Sequence, residues 1–183
     1  MVMQVSDNLF YTYSQIYQLS YALPMYRSVG GTFVVKNLRK WIQYKKYMRG
    51  LSRAQAPKTL LGTPPVRKMA MQSLLARRGV LITPSVEHYR PQDKRIICIY
   101  TGHGSGDKPY LGDHIYDKMA TFDYHFLTGP KNLEKLKDKR VALKPEKLIK
   151  IGNMRYDAYI NVKIDASKEQ NRLRIRDRGL KNI

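Results

Sequence analysis

The feature that most constrains this chain is the unbroken apolar run Ile96-Ile97-Cys98-Ile99-Tyr100, entered from Arg95. A run this short, rich in β-branched and aromatic side chains, is strand-like. A strand with one face in water alternates apolar and polar residues. A strand without that alternation has both faces covered, which is the habit of parallel sheets. The rest of the sequence fits such a sheet. Strand character recurs over residues 9–14, 32–35, 79–84, 121–128 and 148–151, and a short strand opens the stretch 66–78. Helical spacing is expected over residues 15–29, 37–51, the end of 66–78, 111–119, 131–138 and 167–178. Strands alternating with helices predict the α/β class: a Rossmann-like parallel sheet with helices on both faces.

A hydrophobic fraction of 43% supports a real core, so the chain is not a disordered basic tail. Its 34 Lys+Arg against 14 Asp+Glu give a net charge of +20. Such a surface attracts polyanions: nucleic acid, anionic lipid headgroups or phosphorylated polymers. Composition does not choose among them. The one cysteine, Cys98, sits in the apolar run and reads as a small buried residue, with no partner for a disulfide or a zinc site. Residues 8–26 carry no charge, but Asn8, Thr12, Ser14, Gln15, Gln18, Ser20 and Pro24 interrupt them, so a spanning helix is not expected. A signal peptide is not expected either, and the expected location is the cytoplasm.

Ligands of open parallel sheets bind beyond the carboxyl ends of strands. The 95–100 run leads straight into Thr101-Gly102-His103-Gly104-Ser105-Gly106-Asp107-Lys108. Glycines let backbone amides approach an anion, Ser105 and Lys108 add donors, and His103 can take a proton near neutral pH. Asp107 stands where a Walker A loop needs glycine, and the third glycine of the dinucleotide fingerprint is absent. A tight turn with His103 facing solvent remains the alternative. A second loop, Gly152-Asn153-Met154-Arg155-Tyr156-Asp157, follows the last strand. Arg155 is suited to clamp a phosphate, with Asp157 orienting it; a capped turn with a surface ion pair is the alternative. His88, His114 and His125 are expected in surface or packing roles. No Cys/His cluster, cofactor motif or G-x-S-x-G elbow is present, so neither a metal nor a cofactor is expected.

The segment 37–51 is basic and contains no acid. Leu38, Trp41, Ile42, Lys45 and Met48 share a face that is expected to pack on the sheet. Arg39, Lys40, Trp41, Lys45, Lys46 and Arg49 are candidates for an anion or membrane surface. A nucleic-acid face is the competing use, but many of the 14 tyrosines lie in apolar patterns that suit a core.

Three segments in order resemble the CDP-glycerol glycerophosphotransferase (teichoic acid polymerase) family. They are Ile99 to Tyr110 around Gly102-His103-Gly104; Phe122-Asp123-Tyr124 with the following Thr128-Gly129-Pro130 turn; and Ile151 to Asp157, with Met154 where the family has proline. The opening, Phe10 to Pro24, is similar to the family's first strand and helix. The resemblance covers roughly residues 8–160. It implies the N-terminal half of a GT-B architecture, with residues 1–165 as an acceptor-side domain. Residues 166–183 would be a basic helical linker toward a C-terminal nucleotide-binding domain lying outside this chain. It further implies transfer of a polyol phosphate from CDP-glycerol or a related CDP-polyol to a lipid-linked acceptor, at the inner face of the membrane. His103 would activate the acceptor hydroxyl, and Gly102, Gly104, Ser105, Gly106, Asp107, Lys108, Arg155 and Asp157 would line the substrate. Without a donor domain, turnover by these 183 residues alone is not expected.

Overall fold

The computed structural model describes residues 8–53, 64–86, 95–102, 113–138 and 143–154. Strands and helices alternate along it: β1 (Leu9–Tyr11), α1 (Leu19–Val29), β2 (Thr32–Val35), α2 (Leu38–Arg53), β3 (Val66–Lys68), α3 (Met71–Leu75), β4 (Gly79–Thr83), β5 (Ile96–Tyr100), α4 (Asp113–Ala120), β6 (Tyr124–Leu127), α5 (Pro130–Asp138) and β7 (Leu148–Lys150). The seven strands form one sheet in the order β3-β2-β1-β4-β5-β6-β7, and every pair is parallel. Sequence order therefore runs one way from β1 to β3 and the other way from β4 to β7. The carboxyl ends of β1 and β4 flank the point of reversal, where a sheet of this kind opens a crevice. The Rossmann-like α/β class expected from the sequence is the observed one.

Strand residues alternate between two cores. Tyr11, Phe33, Val35 and Ile82 face α1 and α2. Phe10, Val34, Leu81, Ile96, Cys98, Tyr100 and Leu127 pack with α3, α4 and α5. The first core is aromatic. The Phe33 ring centroid lies 5.0 Å from Tyr11, 5.4 Å from Tyr44 and 6.0 Å from Tyr26. Buried phenols need partners for their hydroxyls. Tyr11 donates to the Gly30 carbonyl and Tyr44 to that of Pro64, each at 2.9 Å.

That aromatic surface decides how α2 sits, and the result corrects the expectation. The inward side carries Tyr44, fully buried, with Trp41, Tyr47, Met48 and Leu51 packed around the same core. Leu38 and Ile42, expected inside, are 59% and 54% exposed. Asn37 caps the helix by accepting the Lys40 amide at 2.9 Å. The helix, expected to end at residue 51, passes the exposed Gly50 and runs on to Arg53, with Leu51 still packed on the core. Pro24 lies inside α1 and does not end it. β1 stops three residues before residue 14, for a reason found in the turn that follows. The helix expected over residues 167–178 lies outside the described residues.

Candidate functional site

All seven strands deliver their carboxyl ends to one edge. At the end of β5, Tyr100 and Thr101 are buried, and Gly102 turns the chain with φ +65°. At the end of β7, Gly152 turns it with φ +71°. Both angles lie in the left-handed region that only glycine adopts without strain. β6 lies between these two strands, so the turns open from the same edge about 10 Å apart across the sheet. Tyr100 is level with His125, and His125 with Leu148. Gly102 and Gly152 are thus placed as the openings of the two loops singled out in the sequence. His103, Gly104, Ser105, Gly106, Asp107, Lys108, Arg155 and Asp157 lie outside the described residues.

The floor beneath Gly102 is His125, held by the packing of residues 122–125 against β5. The Asp123 carboxylate accepts the Cys98 amide at 2.9 Å, and the Asp123 amide donates to the Cys98 carbonyl at 2.9 Å. This reciprocal pair locks the entry of β6 to β5. Phe122 and Tyr100 stack obliquely at 5.4 Å, and His125 meets them edge-on at 6.0 and 5.7 Å. His125 is 1% exposed, and neither ring nitrogen has a protein hydrogen-bond partner. Desolvation drives its pKa down to about 4. That value includes a smaller raising influence from the Met119 backbone and a still smaller lowering one from the Lys147 cation. The ring is therefore neutral at physiological pH. It has the packing role expected of it, as does the buried Cys98. A cavity of about 10 Å³ beside the ring, lined also by Thr101, Gly102 and Asn132, has room for a single water.

The switch point between β1 and β4 is built differently. Thr12 still donates its amide to the Ile82 carbonyl at 3.1 Å. After it, the amides of Ser14 and Gln15 turn to the Gln18 side-chain oxygen at 2.8 and 3.0 Å, and the Ser14 hydroxyl joins them at 3.2 Å. This explains why β1 ends early. A dinucleotide site uses a glycine-rich turn here, whose free amides meet the pyrophosphate. In this chain the turn, Thr12-Tyr13-Ser14-Gln15, has no glycine, and two of its amides are already committed to Gln18.

Lys40, expected on the anion surface, belongs to this turn instead. Its ammonium donates to the Ser14 carbonyl and lies 5.9 Å from the Tyr13 ring centroid. The Tyr13 hydroxyl in turn donates to the Lys40 carbonyl at 2.8 Å. Arg39, Lys46 and Arg49 do face outward, and Lys45 lies over the half-buried Trp41 at 5.4 Å. Leu38 and Ile42 join them on that surface. They were missed because the 38–42–45 spacing competes with a second stripe, Trp41-Tyr44-Met48-Leu51, and only the receiving core tells which one is buried. No helix among the described residues is long and apolar enough to cross a membrane. Comparison with protein-family models, curated proteins and solved structures found no match to this chain.

Proposed function

We propose that this chain is the acceptor-side domain of a phosphotransferase that uses CDP-glycerol or a related CDP-polyol to extend a teichoic-acid-type polymer. It works with a donor-binding domain, at the inner face of the cell membrane. The observation that carries the reading is the sheet edge. Two glycine-opened turns leave β5 and β7 about 10 Å apart, and His103 is the residue that directly follows the first. A second feature agrees with it. The β1 turn commits two of its amides to Gln18, so they are not free to meet a donor's pyrophosphate there.

In this reading His103 takes the proton of the acceptor hydroxyl. The freed oxygen bonds to the polyol-bearing phosphorus of the donor, the pyrophosphate bond breaks, and CMP leaves. Lys108 and Arg155 offset the charge on the phosphoryl oxygens. A base so placed contributes about 10²- to 10⁴-fold in rate. Calorimetric titration of the chain with a soluble glycerol phosphate oligomer, and separately with CDP-glycerol, tests the assignment. Binding of the oligomer in preference to the nucleotide is expected. Preference for CDP-glycerol would overturn the acceptor-side role, and binding of neither would overturn the reading altogether.

A further inference from the structure

The outward side of α2 combines features that the core does not use. The helix carries six basic residues (Arg39, Lys40, Lys45, Lys46, Arg49 and Arg53) and no acid. Of these, Arg39, Lys46 and Arg49 are exposed. Leu38 and Ile42, one turn apart, stand 59% and 54% exposed among them. Trp41, Ile42, Lys45, Lys46, Arg49 and Gly50 line an open groove along this side. Aliphatic side chains set among cations match a bilayer interface, where the first enter the acyl boundary and the second meet anionic headgroups. A nucleic-acid face would show aromatic platforms for bases. Here Tyr44 is buried at 0% exposure and the half-buried Trp41 has Lys45 over its ring, so neither offers an open platform for a base.

Position adds to chemistry. α2 follows β2 directly through Lys36 and Asn37, so its first turns start from the carboxyl edge of the sheet. β2 and β5 are three strand spacings apart, about 14 Å. We infer that Leu38, Arg39, Ile42, Lys46 and Arg49 seat this domain on an anionic bilayer, with the carboxyl edge of the sheet turned toward the headgroups. The inference deepens the proposed function, whose acceptor is lipid-linked, by naming the surface that would bring acceptor and edge together. Lys40 is not part of that surface.

Vesicle flotation and fluorescence test it, because Trp41 is the single tryptophan of the chain. The full chain is mixed with phosphatidylcholine vesicles, with or without phosphatidylglycerol, and with vesicles carrying brominated acyl chains. Binding to the anionic vesicles only, with Trp41 quenched by the bromines, is expected. Replacing Arg39, Lys46 and Arg49 together by Gln should weaken binding about a hundredfold, at about fivefold for each cation. Replacing Leu38 and Ile42 by Gln should weaken it roughly tenfold and remove the quenching. Lys137→Gln, exposed on α5, should change neither. Both sets of substituted side chains are exposed, and circular dichroism checks that the variants fold. Equal binding to neutral vesicles, undiminished binding by the triple variant, or displacement of the vesicles by a single-stranded RNA oligomer would overturn the inference. Vesicle binding needs neither donor nor His103. A chain that floats but never transfers when a donor-binding domain is present sinks the transferase reading alone, whereas one that then transfers to a soluble acceptor without floating sinks this one alone.

Discussion

His125 should make the fold sensitive to mild acid, and His125→Phe should remove that sensitivity. Burial between Tyr100 and Phe122, with the Lys147 cation nearby, holds the imidazole pKa down at about 4, against an ordinary value of 6.5. Between those two values the unfolded chain binds a proton that the folded chain refuses, so stability is intact above pH 6.5 and falls as the pH drops toward 4. The interval is worth about 3 kcal/mol, which in a domain of this size is roughly 10 °C in Tm. Carboxylates also begin to titrate at the acid end, but they do so in both proteins, and the difference between them isolates the histidine. A Phe ring places no polar nitrogens in the site, so the variant should match or exceed the parent by about 1 kcal/mol at pH 7.5. The assay is urea denaturation of both proteins from pH 7.5 to 4. Their stability difference should widen by about 3 kcal/mol across that range. Parallel curves would mean that His125 is not desolvated as described, and the account of the floor beneath Gly102 would fail.

Other consequences are equally direct. Gln18→Leu should cost about 2 kcal/mol in denaturant melts, because it strands the amides of Ser14 and Gln15. Tyr44→Phe should cost about 1 kcal/mol by leaving the Pro64 carbonyl without its donor while the ring packing is kept. Asp123→Ala should destabilise by about 1 to 2 kcal/mol through loss of the Cys98 amide contact, with vesicle binding unchanged by flotation. Lys40→Gln should lower stability measurably and leave vesicle affinity intact, opposite to the effect of Lys46→Gln, because only the first side chain is spent on the Ser14 carbonyl.

The sheet was legible wherever a strand announces itself by local chemistry. The 96–100 run needs cover on both faces, and Thr32–Val35 came through with its limits unchanged. Strand order was less accessible, since it follows from crossovers between residues far apart in sequence. The ends of β1 and α2 were misplaced for identifiable reasons. Gln18 captures amides that would otherwise extend β1, and Leu51 finds a core contact that outweighs the cost of an exposed Gly50. The face of α2 was misread because hydropathy ranks Leu and Ile above Tyr, whereas the surface receiving the helix is a cluster of Tyr11, Tyr26 and Phe33 that selects Tyr44. Lys40 and Lys46 are alike in sequence, and only the fold separates a turn-locking cation from a surface one. Of the two loops singled out, the opening glycines Gly102 and Gly152 lie within the described residues, each just past a strand end.

The central claim is that the loop opened by Gly102 activates an acceptor hydroxyl through His103. The measurement closest to it is transfer of radiolabel from CDP-glycerol to a lipid-linked acceptor, in the presence of a donor-binding domain, by the parent chain and by His103→Ala. The account predicts transfer by the parent and a loss of about 10²- to 10⁴-fold in the variant with acceptor binding retained. Transfer that survives the substitution unchanged, or no transfer from any CDP-polyol, would contradict it.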